Sequence, residues 1–128
     1  MFNRVIKILF LSVLFTFSFS QAPNWDCDGD GVLDNFTNYV NNGSITSIVL
    51  GDGGVSLGSP GDILASFVDE EQRGVAQATI IPFGTYGGEY AFLMLSYSDE
   101  ASGETMNFKF YDIETDTVYD LAETYEFI

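Results

Sequence analysis

Residues 89–98, EYAFLMLSYS, and residues 104–112, ETMNFKFYD, decide the fold. Successive side chains of a strand point to opposite faces. The first stretch is apolar at both sets of alternate positions, which predicts a strand in the middle of the fold. The second alternates, so Met106, Phe108 and Phe110 are expected to face inward. Because only a short turn separates the two stretches, they are expected to be neighbouring strands.

The rest of the chain beyond residue 37 repeats this pattern of short apolar runs and turn-forming clusters, without a helical period. Further strands are predicted at residues 44–50, 55–57, 63–68, 73–81, 117–121 and 124–128. Those at 63–68 and 73–81 flank an acidic turn and predict a hairpin. Seven or so strands at this spacing indicate an all-β fold, a β-sandwich of the Greek-key or immunoglobulin-like kind. Periodicity leaves a small barrel open as the alternative.

Residues 1–20 have the pattern of a signal peptide, with Arg4 and Lys7 before a short apolar run and small residues at the expected cleavage site. An uncleaved membrane anchor is the alternative. The predicted organisation is a signal peptide at 1–20, an acidic calcium-type loop or linker at 21–37 and a β-sandwich module at 38–128. The last run stops in mid-alternation, which leaves open a module truncated at its C-terminus. We therefore expect a protein that is secreted or held at the cell surface, and not embedded in the membrane after cleavage.

Charge and composition exclude several classes of function. Beyond residue 20, Arg73 and Lys109 are the only bases against 19 acids, which gives a formal charge of −17. Such a surface repels nucleic acids. The chain has no histidine, which excludes Ser-His-Asp and Cys-His catalysis and the usual zinc sites. The acids at 69–71 and 99–100 lie in turns, where solvated acids are common, so we expect no enzyme. The single cysteine, Cys27, allows no internal disulfide.

One motif carries chemistry: residues 26–34, DCDGDGVLD, place aspartates at alternate positions. Calcium takes six to eight oxygen ligands, and alternate carboxylates converge when the chain curls around the ion. Gly31 permits the sharp turn, and the Val32 carbonyl can add an oxygen. Asp34 can contribute directly or through water, while Leu33 can pin the loop to a core. The twelfth position is Thr37, where an EF-hand has a bidentate Glu, so the loop is not an EF-hand.

The loop resembles the aspartate-rich calcium repeat of thrombospondin type 3 and, to a lesser degree, the dockerin loop. The resemblance covers about nine residues. It implies calcium as the bound ion, with side-chain ligands at Asp26, Asp28, Asp30 and Asp34 and a backbone ligand at Val32. The alternative is an acidic flexible linker, since Asp and Gly also favour turns.

The remaining chain resembles a β-rich repeat module of secreted multidomain proteins of marine bacteria. The resemblance rests on ILASFVDEEQRGVA, ASGETMNFKFYD and DTVYDLAETYEF. It implies architecture and export, not chemistry.

Aromatic and basic residues outside the loop supply the remaining candidates. Phe83 and Tyr86 lie in a Gly-rich loop, where they can stack on sugar rings or cap the end of the sandwich. Arg73 is expected to form a hairpin salt bridge, and Trp25 to pack on the β-domain. The function expected is a non-catalytic secreted or cell-surface calcium-binding module with a structural or adhesive role. Its partners would be calcium and a cell-surface protein or polysaccharide. The alternative is a carbohydrate-binding module of a larger extracellular protein.

Overall fold

The computed structural model describes residues 22–128, so the predicted signal peptide lies outside the described residues. The strands are β1 (Asn41–Ser47), β2 (Ile63–Val68), β3 (Glu71–Ile80), β4 (Tyr90–Ser98), β5 (Thr105–Asp112) and β6 (Thr117–Glu126). Between residues 22 and 128 the only helical pieces are single 3₁₀ turns at Phe36–Asn38 and Asp52–Gly54. None of them is long or apolar enough to span a bilayer. The all-β prediction is confirmed.

The six strands form one antiparallel sheet in the order β1-β4-β3-β2-β5-β6. Strands β2, β3 and β4 follow one another as a meander, and β1 lies beside β4, which is the Greek-key arrangement read in reverse chain direction. The predicted β2–β3 hairpin is confirmed. Asp69 and Glu70 form its tip with φ angles of 48° and 69°, as a two-residue turn that matches the strand twist requires. The arrangement is consistent with a sandwich-like fold.

The prediction that β4 and β5 are neighbours is wrong. Strand β4 pairs with β1 and β3, whereas β5 pairs with β2 and β6. The connection after Ser98 crosses the end of the β2–β3 hairpin instead of turning back, and Ser98 donates a hydrogen bond to Glu104 across it. A short polar connection can form a tight turn or cross the end of the hairpin, so the sequence pattern does not distinguish between these two paths.

Strand β4 is also less central than its composition predicted. It is second from one edge, and the two middle strands are β3 and β2. Its inner side chains, Phe92 and Met94, are buried, but Leu93 and Leu95 on the outer face are exposed. Strand β4, with apolar residues on both faces, therefore has a neighbouring strand on each side. Its outer face, however, is not covered at Leu93 and Leu95.

Several predicted strand bounds differ from the structure. Strand β1 begins and ends three residues before the predicted run at 44–50. The run at 55–57 forms only an isolated bridge between Leu50 and Ser56. The last two predicted runs belong to the single strand β6, whose pairing with β5 contains an irregularity between Asn107 and Lys109.

The two edges of the sheet meet, which shows that the sheet curls strongly. A flat sheet of six strands would hold its edge strands about 24 Å apart. Instead, Phe127, just after β6, belongs to a buried cluster against which Ile45 of β1 packs. A Cβ atom on Gly43 of β1 would lie 3.4 Å from the Phe127 ring. The curl encloses the main core, made of Val49, Leu64, Ala76, Phe92, Met94 and Phe110.

The N-terminal segment covers the outer face of the central strands. Trp25 packs edge-on against Phe67 of β2, with ring centroids 5.8 Å apart and an interplanar angle of 70°. Ala65, Val75 and Tyr111 complete this second cluster. The prediction that Trp25 packs on the β-domain is confirmed, and the packing places the Asp loop directly against the sheet.

Candidate metal centre

The Asp loop is anchored by a buried side chain near each end. Trp25 precedes it, and Leu33 near its end is only 2% exposed, as expected for a residue that pins the loop. Between these anchors, Gly29 and Gly31 have φ angles of 74° and 78°. Non-glycine residues adopt this left-handed region only at a cost, so the two glycines let the chain curl within a few residues.

Three of the four predicted side-chain ligands converge. One carboxylate oxygen each from Asp26, Asp28 and Asp34 lies within 4.8 Å of the others. Calcium ligands lie 2.3–2.6 Å from the ion, so two of them can be at most about 4.6–5.2 Å apart. The three oxygens therefore fit around one ion of this size. Asp28 and Asp34 are exposed, and Asp26 is half-buried.

The two remaining predicted ligands are Asp30 and the backbone carbonyl of Val32. Asp30 is not one of the three converging residues, and its Oδ1 accepts the N–H of Val32 at 2.9 Å. This contact is a local turn between residues two apart. The ligand roles of Asp30 and of the Val32 carbonyl stay predictions.

Backbone donors hold the carboxylates in place. The N–H of Gly29 lies 3.1 Å from Asp26 Oδ1, and that of Gly31 lies 2.8 Å from Asp26 Oδ2. The N–H of Cys27 lies 3.0 Å from Asp34 Oδ2, which ties the end of the loop to its start. A carboxylate has about four lone-pair sites, so these bonds leave room for a cation.

Two glutamines of β3 bind the segment to the sheet, and neither was recognisable as a partner from the sequence. Gln77 Nε2 lies 3.2 Å from Asp26 Oδ2 and 2.9 Å from the carbonyl oxygen of Gly29. Gln72 Nε2 lies 2.8 Å from the carbonyl oxygen of Trp25. All three contacts join residues at least 47 positions apart, and a polar side chain on a half-covered strand does not stand out in the sequence.

Crowded negative charge marks the loop. Burial raises the pKa of Asp26, but hydrogen bonds from Gly31 and Gln77 outweigh it and leave that pKa below its ordinary value. In Asp28, the hydrogen bond from the Asp30 N–H lowers the pKa, but desolvation and the neighbouring Asp30 carboxylate raise it by a larger amount, so the net shift is upward. The two bases of residues 22–128 form their ion pairs elsewhere. No basic side chain of residues 22–128 therefore forms an ion pair with the loop carboxylates.

Arg73 of β3 forms a second polar cluster. Its Nε lies 3.1 Å from Glu71, which confirms the predicted hairpin salt bridge. Its two terminal nitrogens lie 2.7 and 3.0 Å from the two oxygens of Glu104. The guanidinium also lies 4.7 Å from the centre of the Tyr39 ring. This arrangement holds the pKa of Glu104 down at about 2.

The two aromatic candidates are exposed in the β3–β4 loop, Phe83 at 81% and Tyr86 at 56%. Tyr86 lines an open groove of about 560 Å³ together with Ile80 and Leu93 of the outer face. Phe83 is not part of that lining. The structure therefore places Tyr86, but not Phe83, beside a concave apolar surface.

Comparisons with protein-family models, curated proteins and solved structures gave no match for this chain.

Proposed function

We propose that the protein is an exported, non-catalytic module in which the Asp loop holds a calcium ion with a structural role. The observation that carries the proposal is the convergence of Asp26, Asp28 and Asp34 within 4.8 Å, on a loop anchored at both ends. A hard oxygen donor set with no nitrogen or sulfur ligand suits calcium rather than a transition metal. Calcium would supply positive charge at the point where the carboxylates crowd. Export is supported by the pattern of residues 1–20, and an extracellular setting supplies enough calcium to fill even a weak site.

The ion would fasten the N-terminal segment to the sheet. Asp26 faces the proposed ion site on one side and contacts Gln77 of β3 on the other, and Trp25, the residue before it, lies in the packed cluster. An ion that orders the loop would therefore hold the cover of the outer face in place. Such a clamp suits a module that has to keep its shape between partners, as in surface attachment.

Calcium titration tests the proposal. A ligand that binds only the native state stabilises it by about 2.7 kcal/mol at a hundredfold excess over Kd. We expect millimolar calcium to raise the melting temperature and to give saturable heat in calorimetry. Magnesium should have much less effect, because it dehydrates reluctantly and demands a tighter octahedron. The fluorescence of Trp25, next to the first ligand, offers a second readout.

A matched pair of variants locates the effect. Asp28→Asn removes one charge from the loop, and Asp52→Asn removes one charge from an exposed turn elsewhere. Calcium should stabilise Asp52→Asn as it does the parent, but should have little effect on Asp28→Asn. Equal responses of the two variants, or no heat at 5 mM calcium with the parent, would reduce the loop to an acidic linker.

Binding of a neutral polysaccharide is the second candidate, favoured by the position of Tyr86 on the outer-face groove. Sugar rings present apolar C–H faces that stack on aromatic rings, and the high negative charge disfavours acidic polymers. A glycan array would identify the ligand. Tyr86→Ala should then abolish retention, while Phe83→Ala, outside the groove, serves as the matched control. Retention that depends on neither residue would remove this candidate.

A further inference from the structure

The curled sheet leaves a seam where its edge strands face each other. At one end the seam is closed by the approach of Gly43 in β1 to Phe127 after β6. Toward the other end the strands separate, and a cavity of about 280 Å³ opens between them. The cavity reaches the main core, because Val49 and Leu64, which are almost fully buried, form part of its wall.

The wall is mostly apolar. Its side chains come from β1, from the segment after β1, and from β2, β5 and β6, and include Ile45, Val49, Leu64, Phe108, Leu121 and Tyr125. Water in such a cavity finds few hydrogen-bond partners, and apolar cavities readily take up apolar molecules. An apolar cavity of about 150 Å³ accommodates benzene, so this one is large enough for a ligand of about ten non-hydrogen atoms.

One polar group in the wall lacks a partner. Ser47 lies on the same face of β1 as Ile45, since residues two apart on a strand share a face. Its hydroxyl is buried and forms no hydrogen bond with residues 22–128. A buried hydroxyl without a partner is unfavourable, so a ligand that brings a hydroxyl or carbonyl group to Ser47 would relieve this cost.

Charge decides which head group the cavity accepts. Glu123 belongs to the wall, and 19 acids face two bases beyond residue 20. Both the local and the overall charge repel an anion. A fatty acid carboxylate is therefore disfavoured, whereas an uncharged hydroxyl is not.

We propose that the seam between β1 and β6 binds a neutral amphiphile with one alkyl chain of about eight carbons and a terminal hydroxyl. The chain occupies the apolar cavity beside Val49 and Leu121, and the hydroxyl pairs with Ser47. This site shares no residue with the calcium loop, whereas Ser47, Ile48 and Leu50 also line the outer-face groove on the other side of the edge strand.

Octanol and octanoate test the site, since they share a chain and differ in charge. Titration of the ¹⁵N-labelled protein should give saturable shifts of the amide signals of Ile45, Val49 and Leu121 with octanol. Octanoate should bind at least about tenfold more weakly, a difference that screening by salt should reduce. Absence of saturable shifts up to the solubility limit, or equal binding of the two compounds, would overturn the proposal.

Variants locate the two halves of the site. Ser47→Ala should weaken octanol binding about fivefold, the effect of one hydrogen bond. Leu121→Trp, which fills the cavity, should abolish binding, whereas Leu93→Trp on the outer face should leave it unchanged. Circular dichroism checks that each variant is folded, and the comparison of octanol with octanoate in the parent protein needs no variant. Octanol binding that persists in folded Leu121→Trp would place it outside the seam, and binding unaffected by Ser47→Ala would exclude the hydroxyl contact.

Discussion

Arg73 is buried because β3 carries one residue more than β2 between two paired positions. Ser66 is opposite Gly74, but the next residue, Phe67, is opposite Gln72, so Arg73 is the extra residue of a bulge. A bulge re-aims a side chain relative to the normal alternation. Here it turns a guanidinium that is only 5% exposed toward Glu104.

The residue after the bulge must be glycine. A Cβ atom at Gly74 would lie 2.7 Å from the carbonyl oxygen of Leu95 and 2.9 Å from Ser66 Oγ. Because the nearest atom belongs to the backbone of β4, the clash cannot be relieved by a side-chain rotation. We expect Gly74→Ala to lower the free energy of unfolding by about 2 kcal/mol, as overpacking does. Urea denaturation measures it.

Gly43→Ala is the matched control. Position 43 is also a strand glycine, but its Cβ would make an ordinary contact of 3.4 Å with the Phe127 ring. The change there should stay within about 0.5 kcal/mol. If the two variants were equally stable, the close packing of β3 on β4 at Gly74 would be disproved.

At the residue scale the sequence predicted local partners and missed distant ones. The pair of Arg73 with Glu71 was predictable from two positions of separation, whereas Glu104 lies 31 positions away. For the same reason the Asp loop could be recognised within nine residues, but its contact with Gln77 could not.

Among the elements, the connection from β4 to β5 depends on the ion pair that it carries. Glu104 has a pKa of about 2 in the folded protein, against 4.5 for a free side chain, chiefly because Arg73 donates hydrogen bonds to it. A lowered folded-state pKa stabilises the protein above the unfolded pKa, and this contribution is lost as the pH falls through the folded value. The protein therefore loses the stabilisation contributed by the Glu104 carboxylate between about pH 4.5 and pH 2.

Glu104→Gln should remove this contribution. At neutral pH it leaves Arg73 buried with one carboxylate fewer, which should cost about 3 kcal/mol. The difference from the parent should shrink as the pH falls from 4.5 to 2, because the parent then loses the same charge. Glu114→Gln, in an exposed turn, controls for the loss of one acid. Denaturation curves at pH 7, 3.5 and 2.5 measure the difference, and a constant gap at all three would contradict the assignment.

The sequence identified most strands but not their neighbours. Alternation marks a strand and its inner face, as Met106 and Phe110 show by their burial. Pairing depends on which apolar faces meet after the sheet has curled, and this is a property of distant contacts. The turns after β2 and after β4 have similar signals in the sequence. The two connections differ because the one after β4 does not turn back but passes Arg73, with which its Glu104 pairs, on the way to β5.

For the whole molecule, charge repulsion opposes the compact state. The formal charge of −17 beyond residue 20 repels itself, and salt screens exposed charges over about 8–10 Å at physiological ionic strength. Without calcium, raising sodium chloride from about 0.01 to 0.15 M should therefore raise the melting temperature. Sucrose at equal osmolarity, which does not screen charge, serves as the control. A melting temperature that does not respond to salt would mean that the acids are too widely spread to interact.

The Greek-key order also sets the sequence of events in folding. Strands β2, β3 and β4 can pair as soon as each is made, because their partners are adjacent in the chain, and so can β5 and β6. Strand β1 has to wait, since Asn41 pairs with Ser98 and Ser47 with Phe92. Closing so long a loop is entropically expensive and slows folding. The first strand of the chain is therefore among the last to be secured, and a pulse of deuterium during refolding should label its amides most heavily.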